Sequence, residues 1–185
     1  MQAGPRPLIE PNVLGTIRDA LKGLRSVHFR YGPSGRLKHV DPWGLLFGRL
    51  PYLVGPAVGH EKAVLWRLDR MRHLALSEPA PGRPAGFSLA AYAARSFGTY
   101  QEPEQDVLLR FSPGAAEDAA RFIFHPDQRV ERDPEGSLVV GFRAGGMLEL
   151  VHHLFTWGEA VEILSPNALR DLMRERLRSA MSRHG

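Results

Sequence analysis

The chain contains no cysteine, which excludes disulfides, thiolate catalysis and cysteine-ligated zinc and suits a reducing compartment. No stretch approaches the ~20 apolar residues of a membrane span. The segment from Met1 to Pro11 carries three prolines and no apolar core of the kind a signal peptide needs, so a cytoplasmic location is expected. Lysine is nearly absent, and arginine supplies almost all the positive charge. Arginine suits bidentate phosphate recognition. A GC-rich genome produces the same bias, so arginine content alone decides nothing.

Catalytic signatures are missing as well. There is no Gly-x-Ser-x-Gly elbow and no His-Glu-x-x-His, and acids are scarce where the chain is basic. His152 and His153 are the only adjacent histidines, and neighbours on a helix point about 100° apart, poor geometry for one metal. Gly141 to Gly146 precedes a helix and offers free N–H groups to an anion, but it lacks the Lys-Ser/Thr of a P-loop; a tight strand-to-helix turn is the other reading. The expectation is a binding protein with no metal and no cofactor, an enzyme ranking behind two binding readings.

What is present describes a globular protein of one large or two small domains. The chain has 185 residues, 43% apolar and 24% charged. Its net charge of +4 is unevenly spread. Between Lys22 and His73 ten Lys/Arg face three acids, an excess of seven positive charges; from Gln101 to Val140 nine acids face four arginines, an excess of five negative ones. The two halves therefore have different electrostatic roles.

Apolar residues at Val13, Leu14, Ile17, Ala20, Leu21 and Leu24 predict a short amphipathic helix. Val27, Phe29 and Tyr31 alternate with His28 and Arg30, and Gly32-Pro33-Ser34-Gly35 turns the chain into Arg36 to Val40, a hairpin with a basic outer face. Gly44 to Phe47, Tyr52 to Val54 and Ala63 to Leu68 read as three more strands, making a five-stranded barrel. Glu78 to Gly86 breaks the pattern, and Ser88 caps a helix through Phe97. Val107 to Phe111, Pro113 to Phe122, Gln128 to Glu131, Ser137 to Phe142, Gly146 to Leu154 and Ala160 to Leu164 follow in the order β-α-β-β-α-β, the ferredoxin-like plan. Ser165-Pro166 opens a last helix by the Ser-cap and Pro-first-turn rule. The fold class is thus α+β: a tail at 1–11, a barrel with flanking helices at 12–100 and a ferredoxin-like extension at 101–185.

Phe29-Arg30-Tyr31, His39-Val40-Asp41-Pro42, Tyr52-Leu53 and above all Trp66-Arg67-Leu68-Asp69-Arg70-Met71 resemble the motifs of the WYL family, whose domain is an Sm/SH3-like barrel. Phe87-Ser88-Leu89 with Ser96-Phe97-Gly98 resembles the family's closing segment. Gln105 to Arg178, especially Leu164-Ser165-Pro166 with Leu169-Arg170, resembles the extension that accompanies it. Two positions depart from the pattern: Pro51 stands where the family has its name-giving Trp, and Val64 where it often has Arg. The resemblance implies the ligand-sensing part of a bacterial transcriptional regulator, a homodimer, in which a helix-turn-helix lies outside this chain. The alternative is a standalone accessory protein that binds single-stranded RNA or DNA and modulates a partner.

The resemblance also implies a groove for single-stranded nucleic acid or a phosphorylated, nucleotide-like ligand, and carries over Lys38, His39, Tyr52, Arg67 and Arg70 as its residues. Arginine forks pair with phosphate, and a tyrosine ring supplies a stacking face. Each has a second reading. Arg67 or Arg70 can form a structural pair with Asp69, Tyr52 can be a core ring, and Lys38 a solvated surface lysine. In the last helix Leu169, Leu172, Met173 and Leu177 form a stripe beside a ridge of Arg170, Arg174 and Arg178, partly core and partly a candidate subunit interface.

Overall fold

The computed structural model describes residues 7–48, 50–98 and 101–185. It divides into two compact units, Met1–Tyr92 and Ala93–Gly185. This division lies ahead of the 100/101 boundary expected from composition. Arg95 and Phe97 exchange backbone hydrogen bonds with Gly145, which ties the segment after Tyr92 to the second unit.

The first unit opens with α1 (Val13–Gly23), whose Val13, Ile17 and Ala20 are buried at helical spacing. The hairpin of β1 (Arg25–Tyr31) and β2 (Arg36–Val40) turns at Gly32 and Gly35, both with positive φ. Next come β3 (Gly44–Phe47), β4 (Pro51–Gly55) and β5 (Val64–Arg67), then one 3-10 turn (Leu68–Arg70) and β6 (Met71–Pro79). Among the described residues of this unit there are six strands where the sequence pattern predicted five. β6 escapes a period-2 reading because its pairing with β1 slips register twice and His73 takes φ 53°.

The strands form two antiparallel sheets, β2-β1-β6 and β3-β4-β5. The chain just beyond β4 joins them: Asp41 N–H donates to Pro56 O at 3.0 Å and Val58 N–H to His39 O at 2.9 Å. Glycine is required at position 55, because a Cβ there would lie 2.0 Å from Asp41 O. This closure makes the small Sm/SH3-like barrel. Its core is Val27, Phe29, Val40, Leu53, Trp66, Leu68 and Met71, with α1 packed over it. After the barrel, α2 (Leu89–Ala93) is one short turn, Ser88 Oγ accepting Ala91 N–H at 3.1 Å; it stops short of the Phe97 expected.

The second unit contains β7 (Gln105–Phe111), α3 (Ala116–Ala119), β8 (Arg129–Arg132), β9 (Leu138–Ala144), α4 (Met147–Leu154), β10 (Val161–Ser165) and α5 (Asn167–His184). The all-antiparallel order β10-β7-β9-β8 is the ferredoxin-like arrangement. α3 is far shorter than the 113–122 helix expected. Gln128 Oε1 takes the N–H groups of Phe124 and His125, turning the chain so that Phe124 enters the core. Ser165 is not the cap of α5: its hydroxyl donates to Asp106 O, and Pro166 holds the cap position with no side-chain hydrogen bond.

Candidate ligand-binding face of the barrel

Cross-strand pairing decides which side chains can share a face, since successive residues on a strand point to opposite sides. Lys38 stands opposite Phe29, on the core-facing side of the hairpin. Its Nζ lies 5.9 Å from the centre of the Trp66 ring. That cation–π contact contributes about 0.5–1 kcal/mol where water reaches it. Trp66, Phe29 and Tyr31 meet edge to face, with centroids 5.4–5.8 Å apart. The indole N–H of Trp66 donates to Gly55 O at 2.9 Å, so the ring is fixed in orientation. Arg36 is opposite Tyr31 and exposed. Tyr31, Arg36, Lys38 and Trp66 thus make one basic, aromatic face at the open end of the barrel.

The five residues expected to line one groove do not share one. His39 points away from Lys38, to the outer face, where it faces His28 with ring centroids 5.7 Å apart. Tyr52 is 5% exposed and so offers no stacking surface; it takes the core reading. Its cross-strand partner is Arg67, and Arg67 and Trp66, adjacent on β5, point to opposite sides.

Arg67 is committed within the protein. Its Nε and Nη2 donate to the two oxygens of Asp69 at 3.0 and 2.6 Å. The hydrogen bond from Arg67 holds the Asp69 carboxyl below its ordinary pKa, and the same bond raises that of Arg67. The backbone N–H of Arg67 also donates to the Tyr31 hydroxyl at 3.1 Å. Arg70 is exposed at the end of the 3-10 turn, and its carbonyl accepts Gly32 N–H. Asp41, the other nearby acid, accepts a hydrogen bond from Ser26 and is 8% exposed.

Tyr31, Arg36 and Trp66, which share the side of Lys38, were not among the candidates read from the sequence, although the alternation of Val27, Phe29 and Tyr31 already carried the signal for the first. The departures from the family pattern lie close by. Val64 shares the side of β5 that holds Trp66 and is 41% exposed. Pro51 is buried at the start of β4, opposite Phe47.

In the second unit, the N–H groups of Gly146 and Met147 are occupied by the Glu102 carboxylate, at 3.1 and 3.0 Å. The anion that the Gly141–Gly146 segment was suited to hold is thus the chain's own. Among the described residues no group of three or more His, Asp or Glu could hold a metal ion, and no helix is long and apolar enough to cross a membrane.

A basic Sm/SH3-like barrel followed by a ferredoxin-like unit defines the class of protein. Residues 12–76 match the WYL domain and residues 103–181 the WCX domain, and the chain belongs to the WYL-domain family. It is similar to the solved structure of proteasome accessory factor B/C (PafBC) of Arthrobacter aurescens, at 22% identity and TM-score 0.43 over 95% of this chain and 28% of that one. It is also similar to the crystal structure of a CRISPR Cas-related protein, at 11% identity and TM-score 0.54 over 92% of this chain and 50% of that one. The chain therefore spans half or less of the length of these relatives. No curated protein matches it.

Proposed function

We propose that this chain is the ligand-sensing module of a bacterial transcriptional regulator, and that its barrel binds a nucleic-acid strand or a nucleotide-like effector rather than catalysing a reaction. The observation that carries the reading is Lys38 poised over Trp66 beside Tyr31 and Arg36. An ammonium for phosphate and the half-buried Tyr31 ring for a base stand together there, on a floor set by the buried Trp66. Asp69, the acid beside this face, is already paired with Arg67 and so does not offset the charge of Lys38 and Arg36.

Fluorescence anisotropy with a labelled single-stranded oligonucleotide tests this. Binding at low salt that weakens as salt rises, and a loss of roughly tenfold in Lys38→Ala, supports the site; tenfold is ~1.4 kcal/mol, near the lower end for one charge-assisted contact. Equal binding by both proteins overturns it.

The same reading takes the module to be a cytoplasmic homodimer. α5 leaves Leu177 and Met181 45% and 72% exposed on the stripe beside Arg174. A monomer by light scattering at tens of micromolar would remove the dimer and leave the ligand site standing.

A further inference from the structure

The two edges of the second unit's sheet are finished differently. At β10 the chain closes its own edge: Arg170 Nε donates to Ile163 O at 3.0 Å and Nη2 to Leu164 O at 2.6 Å. At β8 the edge is open, and all four residues of the strand are exposed. An open edge offers its outward N–H and C=O groups to another strand. Which groups those are follows from the hairpin. Asp133 N–H donates to Ser137 O at 3.0 Å, and the pairing continues without a slip through Glu131–Val139 to Arg129–Gly141. Hydrogen-bonded pairs alternate along an antiparallel ladder, so Arg129 and Glu131 turn their backbone groups to β9, and Val130 and Arg132 turn theirs outward.

The side chains make this edge complementary to itself. Arg129 and Glu131 share the side of Gly141 and Val139, away from the buried Leu138 and Val140. Arg132 pairs with Glu117 inside the unit, whereas Arg129 and Glu131 have no ion-pair partner among the described residues. Two copies of a strand related by a twofold axis pair antiparallel about one central residue, which then faces its own copy. Centred on Arg129, Glu131 or Arg132, the pairing sets a charge against itself, which destabilises a sheet. Centred on Val130, it sets Val130 against the partner's Val130 and Arg129 against the partner's Glu131, on both sides of the axis. Val130 is also a residue whose N–H and C=O point outward, so the central pair exchanges two hydrogen bonds. Charges on an edge ordinarily deter pairing; here they select one register. Gln128 Nε2 donates to Phe122 O at 3.1 Å, which holds Phe122 and Ile123, 48% and 82% exposed, beside the start of β8. Their apolar surface at each end of the seam supplements the little that two short strands bury.

We propose that a second copy of this chain docks on β8, the two strands pairing antiparallel about Val130 so that two four-stranded sheets become one continuous sheet. This rests on the module being a dimer and gives that dimer a seam on the sheet edge, distinct from the stripe of α5.

The test is analytical ultracentrifugation of the full chain over a concentration series. Wild type should dimerise in the micromolar range. Arg129→Glu sets like charges against each other on both sides of the axis and should raise the dimer dissociation constant about tenfold or more. Combining it with Glu131→Arg restores opposite charges and should return the constant to within a few-fold of wild type. Val130→Pro removes both central donors but leaves the ladder to β9, since an edge strand tolerates proline where its N–H faces out; it should give a monomer with an unchanged circular dichroism spectrum. If that variant misfolds, the charge exchange still decides. Dimerisation unaltered by Arg129→Glu would overturn the proposal and leave the dimer to another surface such as α5. Weakening in Arg129→Glu without recovery in the exchanged variant would overturn it as well. A wild-type monomer at tens of micromolar would remove the dimer and this seam together.

Discussion

Arg67 is the residue for which the ligand-binding and structural readings make opposed predictions, and a double-mutant cycle with Asp69 separates them. The two hydrogen bonds, at 3.0 and 2.6 Å, form a bidentate fork, and the side chains are 27% and 18% exposed. Fully exposed pairs contribute about 0.2–1 kcal/mol, and hydrogen bonds to charged groups about 1.5–3. A half-shielded bidentate pair falls between, so a coupling energy of about 1–2 kcal/mol is expected. Arg67→Ala and Asp69→Ala should each lower the melting temperature by roughly 3–6 °C for a chain of this size, and the double variant little further. Urea unfolding of wild type, both single variants and the double variant gives the coupling directly. Asp69 is held below its ordinary 3.8, so its contribution is whole above that pH and fades as the pH drops further, through the lowered folded value. The coupling should therefore persist at neutral pH and vanish in strong acid. A coupling below about 0.3 kcal/mol at neutral pH, with oligonucleotide affinity falling in Arg67→Ala, would refute the clamp and return Arg67 to the ligand.

Glu102→Ala should destabilise the second unit by about 1–2 kcal/mol, because α4 would be without both its cap and the favourable helix-dipole interaction, and Glu102→Gln by less; chemical denaturation reads both. Burial lowers the pKa of His153 below its ordinary 6.5, and its Nε2 accepts the Trp157 indole N–H at 3.3 Å. The stability that this neutral ring contributes is whole above pH 6.5 and is lost as the pH falls toward the lowered folded value; a melting series should show that dependence weaken in His153→Leu. Val64→Arg places a cation on the exposed position beside Trp66 and should tighten oligonucleotide binding several-fold, with a steeper salt slope in the same anisotropy assay.

The amino-acid sequence by itself determined the elements whose period is strong. The spacing of Val13, Ile17 and Ala20, the alternation of Val27, Phe29 and Tyr31, and the glycines of the turn specify α1 and the first hairpin through local geometry alone. The β-α-β-β-α-β order of the second unit was legible for the same reason. Only the tertiary structure decided which side chains meet. β6 is set by its long-range pairing with β1 and not by its own pattern, and the turn that follows α3 is held by the hydrogen bond Phe124 N–H donates to Gln128 Oε1, which no propensity contains. Lys38 and His39 are neighbours in sequence, yet register sends one over Trp66 and the other to the opposite face. Tyr52 is buried because β4 lies between two strands, Arg67 is held by the carboxylate two residues on, and the helix N-terminus suited to an outside anion holds Glu102 instead. A residue type states which interactions a side chain is able to make; which of them form depends on the groups that folding brings within about 3 Å, some from two residues away, as Asp69 is from Arg67, and others from distant parts of the chain, as Glu102 is from Met147.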